Sequence, residues 1–160
     1  MDFRDSPEEA RFREEVRSWL HDNLPDELRG HRGGEARFDG PVVRAWSRAL
    51  YDAGYAGLHW PVEAGGRGLP VTQQLVYLEE YARADAPYIS VNFVGLMHAG
   101  PTLIAEGSDA QRRMHLEKIL RGDAIWCQGF SEPGAGSDLA ALRTRAERDG
   151  DEYVVSGQKI

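Results

Sequence analysis

The richest concentration of chemistry-bearing groups in the chain is Ser131-Glu132-Pro133-Gly134-Ala135-Gly136-Ser137-Asp138. Pro133 supplies no N–H, Gly134 and Gly136 admit backbone angles closed to other residues, and Ser137 and Asp138 add short polar side chains, so this stretch reads as a turn. Residues 124–131 before it are mostly apolar or small, which predicts a short buried strand ending at the turn. A strand that stops in such a corner leaves successive N–H groups beside a hydroxyl at the sheet's rim, a seat for an anion. Residue types alone also fit an ordinary turn that binds nothing, and by type that reading is the commoner one. A dinucleotide fingerprint fails on context: Leu139 stands where the third glycine belongs, and no long amphipathic helix follows.

Other candidates carry less. Glu79 and Glu80 are neighbours on a helix and diverge by about 100°, so they cannot share one ligand and are expected in solvent. His98 has no second ligand at metal spacing and is expected to pack or cap, so no metal site is expected. Cys127, the single cysteine, cannot form an internal disulfide, and its apolar surroundings predict a packing role. Gly57, Gly65, Gly66 and Gly68 lie around Trp60-Pro61 without the Gly-Lys-Ser/Thr ending of a phosphate loop, which predicts a tight inter-helix connection.

The elements that position these residues begin with helices. Ser6-Pro7-Glu8-Glu9 is a capping box, followed by Phe12, Val16, Trp19 and Leu20 on one stripe, with the intervening charges facing water. Pro41 opens a second helix with Val42, Trp46, Ala49 and Ala53 inward and Gly54 as its stop. Thr72 caps a third, with Leu75, Leu78 and Ala82 inward. An apolar segment at 90–97 breaks at 98–101, where Pro101 starts a short helix. A second capping box, Ser108 to Gln111, opens a helix with Met114, Leu116, Ile119 and Leu120 apolar and Gly122 as its end. The period then changes: residues 143–148 alternate, Asp149-Gly150 is a hairpin turn, and 152–156 are β-branched or aromatic. The fold class is therefore α+β, an all-α domain over 1–123 followed by the first strands of a β domain over 124–160.

Length and composition agree. A chain of 160 residues with 41% apolar content can bury a core. A net charge of −7, with arginines interleaved among carboxylates, argues against nucleic acid as a partner. No apolar run is long enough to cross a bilayer, and the amino terminus lacks the features of a secretory signal, so the expected location is cytoplasmic.

The order of residues 131–138, preceded by Phe130 and followed by Tyr153-Val154-Val155-Ser156-Gly157-Gln158-Lys159, resembles the acyl-CoA dehydrogenase flavoproteins. The resemblance covers the whole chain. It implies an amino-terminal helical domain and the start of a barrel-like middle β domain, with FAD bound between the two layers. It places Gln128, Phe130 and Ser131 at the flavin ring, Gly136 and Ser137 at the pyrophosphate, and Ser137 also near the coenzyme A thioester. Ser90, Val91 and Val94 would line the acyl cavity. The implied reaction is α,β-dehydrogenation of an acyl-CoA to the trans-2-enoyl-CoA, with an electron acceptor such as an electron-transfer flavoprotein and a homo- or hetero-tetrameric assembly. The family's catalytic base is expected beyond Ile160, so no acid here inherits it, and these 160 residues alone are expected neither to retain flavin tightly nor to turn over. An acyl-CoA oxidase, a nitroalkane oxidase, a flavin monooxygenase, a non-catalytic subunit of a hetero-oligomeric dehydrogenase and a plain helical interaction module are the alternatives.

Overall fold

In the computed structural model, Ser6 closes both halves of its capping box at the head of α1 (Pro7–Asn23): its hydroxyl accepts from Glu9 N at 3.2 Å and its N–H donates to Glu9 Oε2 at 2.8 Å. Phe12, Val16 and Leu20 are buried along one stripe, with Trp19 packed at its margin. Helix α2 (Pro41–Asp52) ends on Gly54 at φ +74°, and the Tyr55 N–H reaches back to Leu50 O at 2.7 Å. That is the left-handed stop a glycine permits. The buried face of α2 is Trp46, Ser47 and Leu50, turned from the expected stripe, and Val42 is 40% exposed. Ser47 can be buried because its hydroxyl donates to Val43 O at 3.1 Å within its own helix.

The third helix reverses the sequence expectation. α3 (Val71–Arg83) is capped by Pro70, and it buries Gln73, Val76, Tyr77, Glu80 and Tyr81. Leu75 and Leu78, expected inward, are 57% and 61% exposed. Glu80, expected in solvent, is 2% exposed and accepts from Arg13 at 2.9 Å, Arg17 at 2.9 Å and Arg83 at 2.5 Å. Burial alone would raise its carboxyl; the hydrogen bonds from Arg17, Arg13 and Arg83 outweigh that and bring it from an ordinary 4.5 down to about 2. The charges on α1 therefore do not all face water, since Arg13 and Arg17 join α1 to α3. Beside this network Trp19, Trp46, Tyr81, Tyr77 and Tyr55 form a closed ring of aromatic contacts, and Trp46 Nε1 donates to Tyr81 Oη at 2.9 Å.

A second core gathers on Trp60 with Leu96, Leu116, Ile119 and Leu120. The expected break at 98–101 is absent: a π-helical turn, Gly95–Ala99, runs straight into α4 (Gly100–Glu106). A Cβ on Gly100 would overlap the Trp60 ring, and one on Gly66 would stand 2.5 Å from Trp60 Cβ. The glycines around Trp60 thus serve close packing, as a tight connection should. α5 (Asp109–Leu120) begins at the second capping box and buries Leu116, Ile119 and Leu120, while Met114 is exposed.

The structure describes residues 4–30, 40–87 and 92–160, and they divide into two compact units, Met1–Trp126 and Cys127–Ile160. The second unit carries the antiparallel pair β1 (Arg145–Asp149) and β2 (Glu152–Ser156), in register from Arg145 opposite Ser156 to Asp149 opposite Glu152. Gly150, at φ +61°, supplies the left-handed first position of the two-residue loop. Residues 124–131 form neither a strand nor a buried segment: Cys127 and Phe130 are exposed, and among the described residues the stretch's backbone bonds to other segments are Ala124 N–H to Lys118 O at 3.1 Å and Ile160 N–H to Ser131 O at 3.0 Å. Apolar composition does not make a ladder without a partner strand alongside. No helix among the described residues is long and apolar enough to cross a membrane.

Candidate functional site

The turn at 132–135 folds on itself. Glu132 N–H donates to Ala135 O at 2.8 Å and Ala135 N–H returns to Glu132 O at 3.0 Å, so two amides of the expected anion seat are already used. The N–H groups of Gly134, Gly136 and Ser137 take no partner among the described residues, and a Cβ at Gly134 or Gly136 would meet only open space. Neither glycine uses a left-handed φ, so their value here is an unobstructed backbone rather than a special conformation.

Upstream, Gln128, Gly129 and Phe130 are exposed and Ser131 is half-buried; their N–H groups likewise have no partner among the described residues. A run of donors without partners among the described residues, ending in a hydroxyl, is chemically able to face the acceptor edge of a planar heterocycle. Gln128, Phe130 and Ser131 precede the folded turn at 132–135, and Gly136 and Ser137 follow it; all five lie in the second unit, exposed except for the half-buried Ser131. Val94, a candidate for the acyl cavity, is half-buried at the start of the π-helical turn in the first unit, and Ser90 and Val91 lie outside the described residues.

Glu132 is the electrostatic centre of the second unit. It is 7% exposed; Oε2 accepts from Arg143 N at 2.8 Å, and Oε1 accepts from Thr144 N at 2.9 Å and from Lys159 Nζ at 3.1 Å. The Thr144 hydroxyl, then the Arg143 and Thr144 amides and the Lys159 ammonium, hold its carboxyl down to about 2. Of these, the amides and the ammonium have full hydrogen-bond geometry; the Thr144 hydroxyl oxygen is buried without a partner and acts by proximity. A carboxylate so occupied holds structure and is not free to move a proton. In the sequence Lys159 stands within the second motif with no role attached to it, and Arg143 and Thr144 carry no mark at all. The available signal was the pairing of one acid in the first motif with one base in the second.

A cleft of about 320 Å³ opens on the Glu132 side of this turn, lined by Pro133, Gly134, Arg143, Thr144, Gly157 and Gln158, and it does not include Gly136 or Ser137. A larger one, about 660 Å³, lies in the first unit between Tyr51, Ile104, Arg112 and Glu117 and contains none of the candidate residues.

Residues 6–123 match the family described as acyl-CoA dehydrogenase, N-terminal domain. The chain is 48% identical over 153 residues to acyl-CoA dehydrogenase IpdE1 of Mycobacterium tuberculosis, a match covering 93% of this chain and 40% of that one. Among solved structures, the Tcur3481-Tcur3483 steroid ACAD superposes with a TM-score of 0.81 at 40% identity, over 100% of this chain and 41% of that one. The ChsE4-ChsE5 complex from Mycobacterium tuberculosis gives 0.81 at 39% identity, over 100% and 39%. A glutaryl-CoA dehydrogenase from Mycobacterium smegmatis in complex with FADH2 gives 0.71 at 25%, over 97% and 39%. The chain spans about 40% of the length of curated relatives such as IpdE1. With a family match over most of its length, a helical unit and a hairpin that superpose on solved members, and the Ser-Glu-Pro-Gly corner between them in sequence, the chain belongs to the acyl-CoA dehydrogenase family.

Proposed function

We propose that these residues form the amino-terminal part of an FAD-dependent acyl-CoA dehydrogenase that converts an acyl-CoA thioester to its trans-2-enoyl-CoA. The observation that carries this is the strip of unclaimed N–H donors from Gln128 to Ser131, followed by the open corner at Gly136 and Ser137. In this reading Gln128, Phe130 and Ser131 orient the ring and Gly136 and Ser137 receive the pyrophosphate, with Ser137 also close to the thioester. Donors fixed at a ring's edge stabilise negative charge that grows there. When bound, FAD supplies the acceptor for the hydride leaving the β-carbon. As the family resemblance implies, the base that removes the α-proton is placed outside these residues; Glu132, the acid within the motif, is fully engaged and does not take that role.

The likeness to the Tcur3481-Tcur3483 steroid ACAD favours a steroid-type acyl thioester, with Val94 and its neighbours Ser90 and Val91 at the acyl cavity. The reading includes an electron-transfer flavoprotein as electron acceptor, a tetrameric assembly and a cytoplasmic location. A second reading, a non-catalytic subunit beside a catalytic one, is favoured by the likeness to the ChsE4-ChsE5 complex, whose name joins two different chains. The test is to purify the protein in the longest form its gene encodes, alone and with any genetically adjacent homologue, and measure bound flavin and reduction of a dye acceptor. Steroid-type and straight-chain acyl-CoAs are compared. Flavin uptake with preferential turnover of the steroid-type thioester supports the proposal; a preparation that takes up no flavin in either form sinks it.

A further inference from the structure

We infer that Glu132 and Lys159 act together as a clamp that positions the ring-facing strip, so that Glu132 is a positioning residue for flavin binding and not only a turn residue. The inference rests on the assignment of residues 128–131 to the flavin ring. Three segments meet at this one carboxylate. It accepts from the consecutive amides of Arg143 and Thr144 at 2.8 and 2.9 Å, which anchors the lead-in to β1. It pairs with Lys159 Nζ at 3.1 Å, and the same ammonium donates to Phe130 O at 2.9 Å. One residue further on, Ile160 N–H donates to Ser131 O at 3.0 Å, and the Lys159 side chain lies against Gly129.

Among the described residues the strip pairs with no strand, so the bonds that reach it from residues 159 and 160 are the ones that hold it here. A strand is normally held by regular bonds to a neighbour on each side; here two bonds from residues 159 and 160 fix the carbonyls of Phe130 and Ser131. The N–H donors of 128–131 have no partner among the described residues while the carbonyls of Phe130 and Ser131 are held, which is the arrangement a ligand's acceptor edge requires. A hydrophobic replacement for Glu132 cannot serve, since two buried-side amides and an ammonium would lose their acceptor together. The Thr144 hydroxyl lies buried at this junction without a hydrogen-bond partner.

The experiment uses the full-length protein, stripped of flavin and titrated with FAD. E132Q and K159M should each weaken FAD binding by about tenfold or more, the loss expected when a charge-assisted hydrogen bond is broken. The double variant should be no worse than either single one, because the two act as a unit. K159R, which keeps the charge and a donor, should bind within about threefold of wild type. At saturating FAD the visible absorption band of the bound flavin should differ between E132Q and wild type, a change that loss of stability alone would not produce. FAD binding by E132Q and K159M with wild-type affinity and spectrum overturns the clamp while leaving the site assignment intact. Wild-type protein that takes up no FAD overturns the assignment and the clamp together. Should E132Q fail to fold, the K159M and K159R pair decides the matter: equal affinities overturn the clamp, and a loss confined to K159M upholds it.

Discussion

Trp60 Nε1 donates to the carbonyl of Leu96 at 2.9 Å, and that carbonyl is free to accept because the helix cannot use it. In the π-helical turn Gly100 N–H goes back to Gly95 O, and the next donor along would be residue 101, a proline with no N–H. The widened turn and the missing donor together leave one acceptor for the indole, and glycine at 100 leaves room for the ring. A sequence feature that reads as a helix breaker is here the receptor for a tryptophan from a loop.

Removing the indole donor while keeping an aromatic ring should therefore strand the Leu96 carbonyl. Trp60→Phe is expected to destabilise the chain by about 1–3 kcal/mol in chemical denaturation, the usual cost of an unpaired buried acceptor. Gly100→Ala should cost at least as much by forcing the ring out. Wild-type stability in both would show that the indole and the π turn are not coupled.

The two sides of α3 make opposite predictions. Leu75 is 57% exposed and Val76 is 4% exposed, although both are aliphatic neighbours. Leu75→Ala should change stability by less than about 0.5 kcal/mol, and Val76→Ala should cost about 2 kcal/mol. The reverse order would mean that the helix sits on its other face.

That helix also shows where the sequence ran out. Both faces of α3 carry aliphatic or aromatic residues at helical spacing, and the buried one includes Glu80, which local pattern assigns to solvent. Its burial depends on Arg13 and Arg17, more than sixty residues earlier, so no window along the chain could reveal it. The capping boxes at Ser6 and Ser108 and the glycine stops at Gly54 and Gly122 were legible because their partners lie within a few residues. The motif at 131–138 was legible as a corner, while the fate of 124–131 was not: whether apolar residues enter a ladder depends on a partner strand.

Glu80 makes a pH prediction with a definite sign. Its carboxyl lies at about 2 in the fold against an ordinary 4.5, so the folded state binds the proton more weakly than the unfolded chain. The stabilisation it provides is fully present above pH 4.5 and is lost as pH falls toward about 2. Glu80→Gln should cost roughly 3 kcal/mol at neutral pH, because three arginines lose their buried counter-charge. The gap between wild type and variant in urea titrations should be constant from pH 8 to about 5 and narrow below that. A gap that does not narrow on acidification would show that the carboxylate charge is not what holds α1 to α3.

Two glycines in the second unit should respond in opposite ways to the same added methyl group. A Cβ at Gly157 would stand 2.7 Å from Thr144 Cβ and 2.8 Å from Thr144 Cα, contacts that cannot be relieved by rotating a side chain. Gly157 does not occupy a left-handed φ, so the penalty is steric alone. Thr144 N–H is one of the two amides held by Glu132, and pushing its backbone away should open that bond. Gly157→Ala is therefore expected to speed hydrogen exchange at the Arg143 and Thr144 amides and to destabilise the unit by about 1–3 kcal/mol. Gly134→Ala adds its methyl to open space and should leave those amides protected as in wild type. Equal exchange rates in the two variants would mean that the close approach of residues 144 and 157 does not support the Glu132 junction.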